Sequence, residues 1–309
     1  MPCPVQVVAV VAAFKRPDLL RRLIASLESE RGPLMGVVVV DNGGDPALER
    51  VLSASQLPCR RIDPGVNLGC GGGVARGLKE AFANPEVSHV WILDDDAMAT
   101  PGVLTAMLEA LAASRAGAAV PLVVDGKGKL GWFPGSLPEP AWTAIRVSGA
   151  TPASFRAAWD GAELAWSWAP WPSLLVTREA VAEAGYPRDD YWFQGEDLEW
   201  TLRLSDRVKG ILAPKGVCVH TPPGESNGVR EYRKSILMLQ NNFFTRHLAH
   251  GGRLRRHEAG NVWRALRASG FSYRVCRDVA LAWWRGGVLR RSAGQPGGDG
   301  FRRNWGGAL

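Results

Sequence analysis

The chain has 309 residues, enough to bury a sizeable core as one large domain or two smaller ones. Its net charge of +7 is uneven: from residue 246 onward thirteen arginines stand against Glu258, Asp278 and Asp299, a balance of +10 that leaves −3 for residues 1–245. Basic character confined to a tail argues against a nucleic-acid-binding body and points to an anionic surface as partner. No stretch approaches the ~20 apolar residues of a membrane span. Five scattered cysteines (Cys3, Cys59, Cys70, Cys218, Cys276) form no C-x-x-C pair. They read as reduced thiols in the cytoplasm, with neither a disulfide frame nor a zinc site.

Residues 5–12 are a continuous apolar run with no basic segment before it, so a core strand is expected there and not a signal peptide. Pro17 opens a helix whose apolar positions Leu19, Leu20, Leu23, Ile24 and Leu27 recur at helical spacing. Residues 37–40 form a second buried strand that ends in the turn Asp41-Asn42-Gly43-Gly44. A short strand at 60–62, a helix over 74–82 and a strand at 90–93 follow, the last ending in Asp94-Asp95-Asp96. Pro101 leads into a helix over 103–113. Alternation of this kind predicts an α/β layer with a largely parallel sheet. From 117 to 172 the pattern loosens into Gly-, Pro- and Trp-rich sequence, with strands expected at 118–124 and 174–177. Helices at 178–184 and 198–204 precede a strand over 210–220. Residues 229–293 read as basic helices, and the Gly-rich stretch 292–309 as a disordered tail.

Three polar signals fall at predicted strand ends, where α/β sheets bind ligands. They are Asp41, the loop Asn67-Leu-Gly69-Cys-Gly71-Gly72-Gly73, and Asp94-Asp95-Asp96. Three adjacent carboxylates delivered straight from Trp91-Ile92-Leu93 need pairing or a cation. In extended chain Asp94 and Asp96 point to one side and Asp95 to the other, which suits a hard divalent ion completed by phosphate and water oxygens. Glycines before a helix let backbone N–H groups approach an anion at its positive end, although a flexible loop has the same composition. Trp166, Trp168 and Trp171 alternate near Pro170 and Pro172; they suit either the core or stacking on a sugar face.

Together these residues resemble glycosyltransferase family 2, and within it the galactofuranosyl- and rhamnosyltransferase branch, over residues 5–220. The resemblance implies a GT-A fold, Rossmann-like with a mostly parallel central sheet, over residues 1–221, followed by a C-terminal helical extension (222–291) and a tail (292–309). It implies that Asp41 contacts the nucleotide base and that Asn67, Gly69, Gly72, Arg76 and Asp95 serve the donor. Cys70 and Val74 depart from the branch's glycine loop. Asp94 and Asp96 match the metal-binding D-x-D. Gln194-Gly-Glu196-Asp197-Leu-Glu199-Trp matches the segment whose second acid, here Asp197, is the catalytic base. His220, taken alone a structural residue, falls where the branch places a third metal ligand for Mn²⁺ or Mg²⁺. Glu196, Glu199, Trp168 and Trp171 are the acceptor-binding candidates.

The implied activity is an inverting, metal-dependent transfer from a UDP- or dTDP-sugar to a glycan or lipid-linked glycan. Galactofuranose and rhamnose are the sugars the branch suggests. A sugar nucleotidyltransferase is the enzyme rival, but Ala13-Phe-Lys-Arg-Pro17 lacks the glycines that class needs after its first strand. A non-catalytic carbohydrate-binding relative is the other rival. The Arg-rich helices with Trp263, Trp283 and Trp284 fit a peripheral contact with an anionic membrane or a solvated helical face. Homo-oligomerisation is left open, and no nucleic-acid partner is expected.

Overall fold

The computed structural model describes residues 5–30, 33–221, 241 and 273–284. The chain divides into two compact units, Met1–Arg188 with Asp197–Pro223, and Asp189–Glu196 with Gly224–Leu309. The first is built on a ten-stranded sheet. Its first half is parallel: β1 (Val7–Ala13), β2 (Leu34–Asp41), β3 (Cys59–Ile62) and β4 (His89–Asp94) lie in the order β3-β2-β1-β4. Next to β4 runs the antiparallel β9 (Ser173–Thr177), then β6 (Ala118–Val124), the parallel β10 (Gly210–His220) and the short β5 (Ala97–Ala99) at the edge. Two-residue strands β7 (Leu130–Gly131) and β8 (Ala165–Trp166) pair with β6 and β10.

Both faces of the sheet are covered, which is why the strands read as unbroken apolar runs. In β1, Ala9 and Val11 enter one core with Leu20 and Leu23 of α1 (Pro17–Leu27), Leu48 of α2 (Ala47–Ser53) and Met107 of α4 (Val103–Ser114). Val10 enters the opposite core with Leu78 of α3 (Gly69–Ala81), Ile145 of α5 (Ala141–Ile145) and Phe155 of α6 (Pro152–Ala158). That core also takes Val181 of α7 (Arg178–Ala184) and Trp200 of α8 (Glu196–Ser205). Period-2 alternation thus feeds two separate cores from one strand.

Two elements start earlier than their periodicity predicts. Helix α3 begins at Gly69, so the glycines form its first turns. Glycine is a poor helix former, but tertiary packing overrides propensity here. A Cβ on Gly73 would lie 2.9 Å from both Ala12 Cβ and Asn42 Nδ2, and one on Gly77 would collide with Val10. The glycines bring the helix onto β1 and β2 at a distance no side chain allows. Helix α8 likewise begins at Glu196, so Asp197 sits in its first turn. In the second unit, α9 (Tyr273–Trp283) is the helix described. Most of the predicted basic extension and the whole Gly-rich tail lie outside the described residues. No described helix is long and apolar enough to cross a membrane.

Candidate active site

The acidic cluster forms where β4 ends. Asp94 is the last residue of β4, and the chain turns back as β5, which pairs antiparallel with the end of β10. That register sets His220 opposite Ala97 and brings a residue 124 positions away onto the cluster. His220 Nε2 lies 2.8 Å from Asp96 Oδ1 and 3.5 Å from Asp94 Oδ2. One ligand atom from each of Asp94, Asp96 and His220 falls within 4.8 Å of the others. Two carboxylate oxygens and an imidazole nitrogen at this spacing fit a divalent cation of the Mn²⁺ or Mg²⁺ kind. His220 is 7 % exposed. Burial alone would lower its pKa, but the hydrogen bond to the Asp96 carboxylate and the charges of Asp94, Asp96 and Asp95 outweigh burial and raise it. The carboxylates therefore attract a positive charge, as a cation site must.

Asp95 and Asp96 lie in the turn between β4 and β5 and not in extended chain, so strict alternation does not separate them; Asp95 is held by other partners. Its Oδ2 accepts the Phe14 N–H at 3.3 Å and its Oδ1 the Arg16 guanidinium at 3.0 Å; the same Arg16 nitrogen reaches Asp96 Oδ2 at 3.2 Å. Burial pushes the Asp95 carboxyl up to about 6 although Arg16 pulls it down. Asp95, a donor-binding candidate in the sequence, thus has both oxygens engaged by the loop after β1.

A second polar group gathers at the end of β2 and the start of α3. Asp41 is 1 % exposed. Its Oδ1 accepts the Gly43 N–H, and its Oδ2 accepts the Asp45 N–H and Arg61 Nε and Nη2 at 3.1 and 2.7 Å. Asn42 ties this turn to the glycine loop, accepting the Leu68 N–H and donating to the Gly69 carbonyl. Asn67 accepts the Gly69 N–H, and Gly69 takes a left-handed φ of 73°. Gly72 is buried within α3, whereas Arg76 lies on its exposed face.

Around α8 the candidates separate. Asp197 accepts the Leu198 N–H at 2.7 Å, and burial pushes its carboxyl up to about 6 against that hydrogen bond. Asp197 as a whole residue is half-buried. The turn of α8 is tied by Thr201, whose hydroxyl donates to the Asp197 carbonyl and accepts the Ala169 N–H. Glu199 has both oxygens on Arg203 at 2.9 Å, and Arg203 donates in turn to the Ala184 and Tyr186 carbonyls. Its carboxylate thus links α8, through Arg203, to the end of α7. Trp171 is 3 % exposed with its ring edge-on to Trp200, so of its two readings the structure gives it the core. Trp168 is half-buried, its indole laid over Gly135. Within the second unit, Glu196 is buried, and the preceding Gln194 (φ 68°) and Gly195 (φ 90°) take left-handed backbone. Asn241 donates to the Phe193 and Gln194 carbonyls there.

Four residues at these sites escaped the sequence reading. Arg16 appears in the sequence only within Ala13-Phe-Lys-Arg-Pro17, and Asn42 only within the turn after β2. Arg61 sits on a strand too short to show a pattern. Trp132, whose ring centroid lies 4.4 Å from that of His220, gave no signal at all.

A mostly parallel sheet carrying an Asp-x-Asp at a strand end is the layout of the GT-A fold. Solved glycosyltransferases share it with this chain. The mannosyltransferase PcManGT from Pyrobaculum calidifontis, in complex with GDP-Man and Mn²⁺, matches with a TM-score of 0.56 at 15 % identity, over 98 % of this chain and 82 % of that one. TarS residues 1–349 of S. aureus match with 0.51 at 14 %, over 94 % and 92 %. GalNAc-T7 with UDP, GalNAc and Mn²⁺ matches with 0.57 at 12 %, over 94 % and 58 %. Residues 8–157 match the model of glycosyl transferase family 2. The galactofuranosyltransferase GlfT1 of Mycolicibacterium smegmatis is 31 % identical over 90 residues, which make up 29 % of this chain and 30 % of that protein.

Proposed function

We propose that the chain is an inverting, metal-dependent glycosyltransferase that moves a sugar from a nucleoside-diphosphate donor to a hydroxyl of a glycan or lipid-linked glycan. The convergence of Asp94, Asp96 and His220 at the strand ends of a glycosyl transferase family 2 domain carries this reading. These three residues would hold Mn²⁺ or Mg²⁺, whose chemistry is to neutralise the charge of the leaving diphosphate. Asp41, fixed by Arg61 and its own turn, orients the nucleotide base. Asn67 and the first turn of α3 present backbone N–H groups to the donor's phosphates. Asp197 accepts the acceptor hydroxyl's proton as oxygen attacks the sugar carbon from the face opposite the diphosphate. A carboxyl pushed up to about 6 is still mostly ionised at neutral pH and is a stronger base than an ordinary carboxylate.

The relative GlfT1 is named for galactofuranose transfer, and two of the similar structures hold UDP-type or GDP-type ligands with Mn²⁺. UDP-galactofuranose is therefore the first donor to offer, with dTDP-rhamnose second. In the presence of Mn²⁺ and without acceptor, the protein should release UDP slowly from the right UDP-sugar by hydrolysis. A coupled UDP assay over a donor panel checks this. No nucleotide release from any donor, with or without acceptor glycans, would leave only the non-catalytic carbohydrate-binding reading.

The acceptor side of the proposal includes the tail. The +10 balance after residue 246 and its interleaved Trp residues suit an anionic lipid surface, where each Arg contributes about 1 kcal/mol within a Debye length of ~8 Å. Of this segment α9 and Trp284 are described, with Tyr273 and Trp284 exposed at either end. The full chain should co-sediment with phosphatidylglycerol vesicles at low salt, release as salt rises, and ignore neutral vesicles. Protein that stays in the supernatant at low salt overturns the membrane contact and leaves the transferase reading untouched.

A further inference from the structure

A histidine that ligates a metal through one ring nitrogen is ordinarily held by a hydrogen bond on the other, which fixes both tautomer and ring orientation. His220 lacks this brace. Its Nδ1 is buried and has no hydrogen-bond partner among the described residues, while Nε2 faces Asp96 and Asp94. A neutral imidazole offering the Nε2 lone pair carries its proton on Nδ1, so that N–H would be buried without an acceptor. Something else must stop the ring from turning.

Trp132 stands in the place of that brace. The hairpin strand β7 pairs with β6 for two residues, Leu130 and Gly131, and then the backbone enters the left-handed region at Trp132, with φ 50°. That conformation is unfavourable for a bulky aromatic residue and persists only where the surroundings enforce it. Its outcome is that the indole meets the imidazole near-perpendicularly, at 74° between planes and 4.4 Å between centroids. An edge-to-face contact of this kind is directional because the ring edge is positive and the ring face negative.

We infer that Trp132 is the positioning residue for His220, an aromatic wall that aims Nε2 at the cation shared with Asp94 and Asp96 where no described residue braces Nδ1. The inference rests on the metal site proposed above. It explains why a strained tryptophan occurs beside the cluster.

The left-handed φ supplies a clean test, because glycine adopts it freely. Trp132→Gly removes the ring without imposing backbone strain, and Trp132→Leu keeps bulk but no aromatic edge. Both should weaken Mn²⁺ binding about 10–100-fold, the range typical for residues that orient a ligand. Trp132→Phe should stay near the wild type. Binding is read from the loss of the free Mn²⁺ electron paramagnetic resonance signal, with circular dichroism to confirm the fold. In a His220→Ala background, Trp132→Gly should cause no further loss, an outcome that a merely structural role for Trp132 would not produce. Unchanged Mn²⁺ affinity in both Trp132→Gly and Trp132→Leu overturns the inference while the metal site stands. Equal losses from Trp132→Gly with and without His220 overturn it too. A wild type that binds no Mn²⁺ removes the metal reading itself, and this inference with it.

Discussion

Replacing Asp197 by Asn should abolish most turnover and at the same time stabilise the protein. The carboxyl is pushed from 3.8 up to about 6 by burial. As the proposed general base it must be ionised, so kcat/KM should fall as pH drops through about 6. The variant should lose on the order of 10²–10⁴ in kcat while keeping its donor affinity. The stability effect has the opposite sign. A carboxyl whose folded pKa is raised binds its proton more tightly in the folded state, so it makes the protein less stable as pH rises through the window from about 4 to 6. Above that window the ionised, buried Asp197 is a liability. Each pKa unit corresponds to ~1.4 kcal/mol, so the neutral Asn should add about 1–3 kcal/mol at pH 7.5, with the gain vanishing below about pH 4. Thermal unfolding of both proteins across pH 3.5–8 measures this beside steady-state kinetics. A near-normal kcat at saturating acceptor would move the base elsewhere, with Glu196 the first suspect. A variant less stable than the wild type at pH 7.5 would overturn the expected net destabilisation by the ionised Asp197 carboxylate.

The second large effect is expected at the acidic cluster. Asp94→Ala and Asp96→Ala each remove one oxygen ligand, and each should reduce transfer at least 10²–10³-fold, roughly the scale set by losing one electrostatic stabiliser of the transition state. Metal-dependent binding of the nucleotide should disappear with it. The two variants should differ in a further respect. Asp94 touches His220 at 3.5 Å, but Asp96 holds His220 through one oxygen and Arg16 through the other. Asp96→Ala therefore removes the shorter contact to His220 and one of the two carboxylates on Arg16, whereas Asp94→Ala leaves both of those in place. Neither should unfold the protein, because each substitution relieves repulsion among three adjacent carboxylates. Calorimetry of UDP binding with and without Mn²⁺ is the measurement. Unchanged Mn²⁺ dependence in both variants would remove the metal from the proposed reaction.

Much of this protein could be read from residue order alone. The strands β1, β2 and β4 announce themselves because a sheet buried on both faces leaves no room for polar residues, so Val7–Ala13 and the run before Asp41 admit little else. The chemical groups also follow from the sequence, because strand ends in such a sheet are where polar residues can gather. Asp41, Asp94 and Asp96 were therefore visible as a set. What the sequence did not determine were relations between residues distant in the chain. His220 meets Asp96 only because β5 folds back onto β10 in one register, and a shift of one residue would turn His220 to the opposite face. The glycines of α3 looked like a loop because their purpose, close approach to Val10 and Ala12, lies in another element. The pairing of Glu199 with Arg203 and the burial of Trp171 against Trp200 could not be read either, since pairing and burial belong to the packed state. Trp132 shows the limit most clearly. Nothing in its neighbourhood marks it, because its place beside His220 depends on one backbone angle that only the assembled sheet enforces.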